Sequence, residues 1–457
     1  MYPALGNGMV PTDAEGRYFP QAEELSKSFG MFFSITGPFY SAFLLLFQKL
    51  SGNMIVGPVI TQHILGIMAA LLVFFYFRKV NLSLAFIVTV FVYSSVLVLW
   101  NEHSILREAL AGFFLVLWVV VLFLAVRETK YLRFVFGLLT AFIGIILVFI
   151  RIEFLVLFFL MPLVLVVGRK MQHQDFSFKD KPFLRWTGGY ACLLVVFIGV
   201  YLVVPGQLQV KQNYGNLFSI AWHALQPEVF YYDNSRYPEL LEAYQKVLES
   251  EEGYLQIDEA HHTVFKMQPF NDATIEYLSV HPEISLSWTQ MMDRMYIDMM
   301  THNTVAYLKS YATNVQNHLL GEGENIRFTG VFNKVLDTRT SGVPIVNSML
   351  KGLTVGLDWL YDALQSLAFL WLFVVALLFA GFRRKKLPAE VVTALIVSVV
   401  HILVLAFLSN AAHRFRSAID PFLYFAQIYL IYIFLRAVFT RPVARVLARL
   451  PSNRHDV

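Results

Sequence analysis

The sequence predicts an all-α polytopic membrane protein, because of its composition, its long apolar runs and the placement of its basic residues. Of 457 residues, 57% are hydrophobic and 15% are charged, and the mean hydropathy is +0.57. These values are too apolar for an ordinary soluble protein. The basic residues stand between apolar runs rather than on one face, which is typical of a membrane orientation signal and argues against a nucleic-acid partner.

Nine apolar runs approach or reach the roughly 20 residues that a transmembrane helix needs. They are Met54–Phe77, Leu82–Trp100, Leu106–Val126, Leu132–Ile150, Phe154–Gly168, Trp186–Val204, Ser366–Phe382, Leu387–Leu408 and Pro421–Leu435. We therefore expect about nine transmembrane helices. The two shortest, Phe154–Gly168 and Pro421–Leu435, would tilt less or include flanking residues.

The loops between these runs differ sharply in charge, which orients the chain by the positive-inside rule. Alternate loops carry most of the basic residues, for example Arg383 to Lys386, whereas the short loops on the other side hold only four arginines. Those four are Arg107, Arg151, Arg414 and Arg416. The basic side is predicted to be cytoplasmic, in a multi-pass protein of the plasma (inner) membrane.

This orientation places two further segments on the extracytoplasmic side. The stretch before Met54 begins and ends outside, so Phe39–Leu50 is predicted to be a juxtamembrane helix, too short to cross. Residues 205–365 form the one large polar segment and contain helix-like stretches such as Ser285–Leu320. We expect a membrane region over 1–204, a mainly helical extracytoplasmic domain over 205–365, and C-terminal membrane helices with a basic tail over 366–457.

Among the carboxylates of the outer loops, three are candidates for chemistry beside the bilayer. Asp13 and Glu15 belong to one acidic cluster, for which an ordinary solvated loop is the plainer interpretation. Glu108 begins a helix that is otherwise uncharged as far as Val126, and capping by the helix dipole explains it equally well. These residues are the candidate catalytic groups.

The outer arginines are candidates for binding an anion. Arg414 and Arg416 oppose the positive-inside trend, and guanidinium groups bind phosphate bidentately. Side chains that snorkel to the membrane surface as anchors are the alternative interpretation. Arg151 lies between two apolar runs and is a weaker candidate of the same kind, with an interfacial anchor as the alternative.

Four segments together resemble the GT-C superfamily of membrane glycosyltransferases, in particular the branch of protein O-mannosyltransferases and lipid A aminoarabinose transferases. Asp13–Tyr18 resembles the acidic motif of the first outer loop, and Gly37–Gly52 is similar to the proline-tyrosine juxtamembrane helix. Arg107–Leu110 resembles the acidic residue that opens a helix after the second outer loop. Arg414–Leu423 resembles the arginine-aromatic-arginine and proline pattern before the last helix.

The resemblance implies a polyprenyl-phosphate sugar donor and an acceptor hydroxyl on a lipid, glycan or protein. Asp13 would be the general base, with Arg414 and Arg416 stabilising the departing phosphate. Glu108 would support the acceptor or a divalent metal ion, which is the candidate cofactor, and Arg151 would be the weaker phosphate ligand. A single displacement by a hexosyl- or pentosyltransferase of this kind inverts the anomeric carbon.

The chain departs from the family pattern at its start, and two other functions stay open. Family members usually carry a transmembrane helix before the acidic loop, whereas 12 residues precede Asp13, so that first helix is missing from the pattern. An O-antigen ligase or polymerase would place its key residues in 205–365. A transporter or scaffold would place ionisable residues at mid-membrane, where His63 and His401 are the candidates.

Overall fold

The computed structural model describes residues 14–28, 32, 37–127, 130–151, 154–155, 242, 276, 280, 301–302, 304–320, 355–356, 387–408 and 418–447. Every regular element within these ranges is helical, as the sequence predicts. A short π-helical turn at Ala14–Tyr18 precedes ten helices. They are α1 (Phe19–Lys27), α2 (Pro38–Ser51), α3 (Val56–Phe77), α4 (Leu82–Tyr93), α5 (Val96–His103), α6 (Arg107–Arg127), α7 (Lys130–Ile150), α8 (Thr304–Leu320), α9 (Ala389–Leu408) and α10 (Asp420–Leu447).

Two of the described helices are long and apolar enough to cross a bilayer. They are α3, with a mean hydropathy of 2.0, and the Arg107–Ala125 part of α6, with 2.5. Shorter apolar stretches lie in α4, α7, α9 and α10. The count of nine spans stays a prediction, since Trp186–Val204, Ser366–Phe382 and most of Phe154–Gly168 lie outside the described residues.

Helix α2 lies where the sequence predicts a juxtamembrane helix, and glycines define both of its ends. Gly37 has φ 68° and Gly52 has φ 69°, which is the left-handed region that favours glycine. Pro38 occupies the first turn, where its missing N–H costs nothing. The N–H of Gly52 donates to the Gln48 carbonyl at 2.9 Å and closes the helix.

The predicted span Leu82–Trp100 is wrong as a single helix, because the structure divides it at Ser94 and Ser95. The Ser94 hydroxyl donates to the Val90 carbonyl at 2.6 Å. The Ser95 hydroxyl accepts the Val98 N–H at 3.4 Å, which is the hydrogen bond of a helix N-cap. Serine side chains thus end α4 and begin α5, and α5 carries helix into the region expected to be a loop.

Helix α10 differs from the prediction at its C-terminal end. It runs from Asp420 to Leu447, although the sequence predicted a span ending at Leu435. The additional helix contains Arg436, Arg441 and Arg445 of the predicted basic tail. Basic residues near a helix C-terminus interact favourably with its dipole, which is consistent with the extension.

Helix α6 is the central element of the described part of the chain. It packs against α3, α5, α7 and α9. In the most apolar stretch of α6, 67% of the residues are buried, whereas in that of α3 only 28% are buried. The exposed face of α3 carries Ile60, Ile64 and Ile67. The N-terminal end of α6 therefore meets several other elements, and it carries Arg107 and Glu108.

The predicted extracytoplasmic domain is represented mainly by α8. This helix falls within the predicted helical stretch Ser285–Leu320 and packs against α9. The Tyr311 hydroxyl donates to the Leu403 carbonyl of α9 at 2.9 Å. Within the described residues, this contact joins α8 to α9, while the domain boundaries stay predictions.

Candidate functional site

A buried ion pair lies at the N-terminal end of α6. Arg151, the residue after α7, places Nη1 3.5 Å from Glu108 Oε1, and both side chains are 4% exposed. Glu108 occupies the first turn of α6, where the helix dipole favours a carboxylate. Among the described residues, its other oxygen, Oε2, is buried without a hydrogen-bond partner. The Glu108 carboxylate is therefore held on one side and retains an acceptor on the other.

The residue before Glu108 fixes the start of α2 against the end of α7. Arg107 Nη1 donates to the Ile150 carbonyl at 3.4 Å. A Cβ added to Gly37 would lie 2.9 Å from the same carbonyl oxygen and 3.4 Å from Arg107 Nη1. The close approach and the left-handed conformation both require glycine at this position.

Tyr40 of α2 connects the N-terminal turn with α3 and α6. Its hydroxyl donates to Gln62 Oε1 at 3.0 Å, and its ring meets Tyr18 edge-on with centroids 5.0 Å apart. Burial raises the pKa of Tyr40 well above its ordinary value, and the nearby Tyr18 and Glu108 raise it further. Tyr40 is thus a neutral donor within the electrostatic reach of Glu108.

Gln62 holds the segment between α5 and α6 in place. Its Nε2 faces the carbonyl oxygens of Ser104 at 2.8 Å, Glu102 at 3.0 Å and Asn101 at 3.4 Å. Gln62 is fully buried, so the two hydrogens of its Nε2 are donated among these three carbonyl oxygens away from water. One glutamine thereby couples Tyr40 to the whole turn that precedes Glu108.

Glu102 and His63 form a second polar pair beside the first. His63 Nδ1 lies 2.9 Å from Glu102 Oε2, and His63 Nε2 lies 3.4 Å from His103 Nδ1. Burial raises the pKa of Glu102, and the hydrogen bond and charge of His63 oppose that rise. Because the two ring nitrogens of His63 face different partners, these residues do not converge on one point, and the described residues contain no cluster of three metal-ligating side chains.

Both carboxylates line one cleft between α3, α5, α6 and the start of α10. Its free volume is about 30 Å³, which is room for about one water molecule. Its lining includes Tyr93, Asn101, Glu102, Glu108, Phe113 and Ala418. A Cβ added to Gly112 would lie 3.9 Å from the Ala418 Cα, which is ordinary van der Waals contact. Ala418 is the second residue after Arg416 in the sequence.

The structure brings together some of the predicted site residues. Glu108 and Arg151 form an ion pair, whereas Glu15 is exposed on the π-helical turn. Asp13, Arg414 and Arg416 lie outside the described residues.

Sequence reasoning did not identify Glu102 as a site residue, and it considered His63 only as an isolated mid-membrane histidine. A signal was present: Gln62 and His63 lie about two turns inside an apolar helix, and polar residues there seek partners. Asn101, Glu102 and His103 form the next polar run that is predicted to lie on the extracytoplasmic side.

No protein-family model matches the chain, and no curated protein or solved structure matches it either.

Proposed function

We propose that this protein is an integral-membrane glycosyltransferase of the GT-C type. It would move a sugar from a polyprenyl-phosphate donor to an acceptor hydroxyl on the extracytoplasmic face of the plasma (inner) membrane. The bilayer would hold the donor's lipid tail, and the acceptor would be a lipid, a glycan or a protein. Inversion at the anomeric carbon follows from a single displacement.

The observation that supports this proposal is that the described residues of the four family-like segments lie near the N-terminal end of α6. Tyr18, from the acidic segment, contacts Tyr40 of the juxtamembrane helix. The ring of Phe39 meets Phe114 of α6 with centroids 5.7 Å apart. Ala418, from the arginine-proline segment, lines the cleft beside Glu108.

The charged residues of these segments suit the proposed chemistry. The acceptor oxygen attacks the anomeric carbon and gives its proton to Asp13, while the bond to the phosphate oxygen breaks. Arg414 and Arg416 stabilise the charge that develops on the departing polyprenyl phosphate. Arg151 remains the weaker phosphate ligand because Glu108 already matches its charge.

Glu108 is proposed to orient the acceptor rather than to act as the base. Its Oε1 is engaged by Arg151, and its Oε2 is the buried acceptor that a substrate hydroxyl would satisfy. With no cluster of three ligands among the described residues, Glu108 would bind a divalent ion only together with donors from the remaining chain or the substrate.

The test is a donor-consumption assay on the full chain in proteoliposomes. Radiolabelled polyprenyl-phosphate sugars are supplied with a membrane extract as acceptor, and the release of polyprenyl phosphate is measured. Asp13→Asn should lower the rate by about 10² to 10⁴, the usual contribution of a positioned general base, without losing donor binding. Glu24→Gln, an exposed carboxylate on α1, is the matched control and should leave the rate unchanged.

Two results would contradict the proposal. One is a wild-type protein that neither binds nor consumes any polyprenyl-phosphate sugar. The other is an Arg414→Ala, Arg416→Ala double variant that binds the donor as the wild type does. An O-antigen ligase or polymerase would instead consume a polyprenyl-pyrophosphate oligosaccharide, and changes within 205–365 would abolish its activity while Asp13→Asn would not.

A further inference from the structure

We propose that α8 is an interfacial helix, which lies in the outer leaflet of the membrane and contacts lipid through an exposed apolar stripe. The stripe consists of Val305, Leu308 and Ala312. The inference goes beyond the proposed function, because it involves no sugar, no phosphate donor and no catalytic residue. It anchors the described helix of the predicted extracytoplasmic domain in lipid rather than in water.

The stripe follows from the spacing of exposed apolar residues along α8. Val305 is 82% exposed and Leu308 is 55% exposed, and Ala312 is exposed as well. Residues three and four positions apart lie on the same face of a helix, so the three side chains form one line. Single exposed apolar residues are common on protein surfaces, whereas an aligned stripe is typical of a face that contacts an apolar partner.

Another face of α8 is fixed to α9, which is an apolar helix in the predicted membrane region. Tyr307 is buried, and Tyr311 follows it by one turn on the same face. The Tyr311 hydroxyl donates to the Leu403 carbonyl at 2.9 Å. A side chain reaches a backbone carbonyl of a neighbouring helix only when the two helices lie directly side by side, as the packing of α8 on α9 shows. The depth of Leu403 therefore sets the depth of α8.

Leu403 lies in the outer half of α9. At 1.5 Å per residue, the helix covers about 21 Å before Leu403 and about 8 Å from there to its end at Leu408. The preceding basic residues, Arg383 to Lys386, predict that α9 starts on the cytoplasmic side. Two residues before Leu403, the ring of His401 stacks on Phe154, just beyond the predicted outer end of α7, with centroids 5.1 Å apart. Interfacial helices lie about 5–10 Å into the boundary between headgroups and acyl chains, which matches this depth.

Lipid also fits the residues that border the stripe. The side chain of Leu403 is itself exposed on α9, so the apolar surface extends from the membrane helix to α8. His302 and Lys309, both exposed, lie one turn before and one turn after Val305 along one edge of the stripe. A lysine at such an edge keeps its aliphatic stem in the apolar phase and its ammonium group among the headgroup phosphates. A phospholipid supplies both an apolar phase and an anionic layer at this depth.

The experiment measures which medium surrounds the stripe, using nitroxide labels on the full chain in phospholipid vesicles. The chain has one cysteine, which Cys192→Ala removes. Val305→Cys, Leu308→Cys and Ala312→Cys are then labelled one at a time. Electron paramagnetic resonance power saturation gives the accessibility of each label to oxygen, which concentrates in lipid, and to a nickel chelate, which stays in water.

All three stripe positions should be more accessible to oxygen than to the nickel chelate. Two exposed positions elsewhere in the chain are the matched controls. Ile64→Cys, on the exposed face of α3, is the lipid reference and should show the same preference for oxygen. Glu24→Cys, on α1, is the water reference and should show the opposite preference.

Two results at the stripe would overturn the inference. A preference for the nickel chelate, as at Glu24, would place α8 in water. Low accessibility to both reagents would show that another part of the protein covers the stripe. The labelled positions are exposed, so folding is expected to tolerate the labels, and thermal unfolding of each labelled variant checks this.

The lipid reference separates this inference from the proposed function. Water at the stripe together with lipid at Ile64 overturns the interfacial helix and leaves the glycosyltransferase proposal standing. Water at both the stripe and Ile64 contradicts the membrane location on which both depend. Lipid at the stripe supports the interfacial helix whether or not the protein consumes a polyprenyl-phosphate sugar.

Discussion

Breaking the Glu108–Arg151 ion pair from either side should destabilise the protein strongly. The pair spans 3.5 Å, and both side chains are 4% exposed. Removing one partner leaves the other charge buried without compensation, which typically costs about 3 to 5 kcal/mol. Arg151→Met should cost more than Glu108→Gln, because Arg151 makes at least one further interaction.

The double variant is the informative member of the set. With both charges gone, no uncompensated charge remains, and neutral replacement of a buried pair is often tolerated. The loss in the double variant should therefore be smaller than the sum of the two single losses by about 2 to 3 kcal/mol.

The free energy of unfolding is measured by titrating mild-detergent micelles with a denaturing detergent and following near-UV circular dichroism. Arg78→Met serves as the control, since Arg78 is exposed at the end of α3 with its guanidinium over Phe75. That change should have little effect. Single losses that add in the double variant to within about 0.5 kcal/mol would refute the reasoning, because additivity is the behaviour of residues that do not interact.

Three further predictions concern Gln62, Asn81 and Glu102. Gln62→Leu should lower the free energy of unfolding by about 2 to 3 kcal/mol in the same titration, because it leaves buried carbonyl groups without a donor. An unchanged free energy would contradict the contacts described for Gln62. Asn81→Ala should cost about 1 kcal/mol, because Asn81 Oδ1 caps α4 by accepting the Leu84 N–H at 3.0 Å; a neutral result would count against that cap. Burial raises the pKa of Glu102, so the folded state keeps a proton that the unfolded chain has lost. As pH rises above the ordinary glutamate pKa of 4.5, the stability of the wild type should fall until the raised pKa of Glu102 is passed, whereas Glu102→Gln should not show this fall. The melting temperature is measured against pH for both proteins, with the neighbouring His63, His103 and Tyr93 unchanged in each. Parallel pH profiles would contradict the assignment.

Local sequence signals were sufficient to predict most described helices. Gly37, Pro38 and Gly52 mark the limits of α2, and the apolar runs mark α3, α6 and α7 within a few residues. Averaging hydropathy over a window failed at Ser94 and Ser95. The hydrogen bonds of two serine side chains end a helix there without lowering the mean hydropathy enough to be noticed.

The contacts of the site could not be read from local pattern. Glu108 was recognisable as an unusual charge at a helix start, but its partner, Arg151, lies beyond the next helix. His63 and Glu102 are separated in the same way, by most of α3 and all of α4. Such pairings depend on how the helices pack. A single sequence shows which buried polar residues need a partner, but it does not show which residue that partner is.

We propose that the family-like segments form a polyprenyl-phosphate site at the N-terminal end of α6. Photocrosslinking tests it most directly, using a polyprenyl phosphate analogue with a diazirine next to the phosphate and mapping adducts by mass spectrometry. We expect adducts near Glu108 and in the segment that ends at Pro421, removed by excess polyprenyl monophosphate and absent from the Arg414→Ala, Arg416→Ala variant. Adducts confined to other parts of the chain, or labelling that the monophosphate does not compete, would contradict the account.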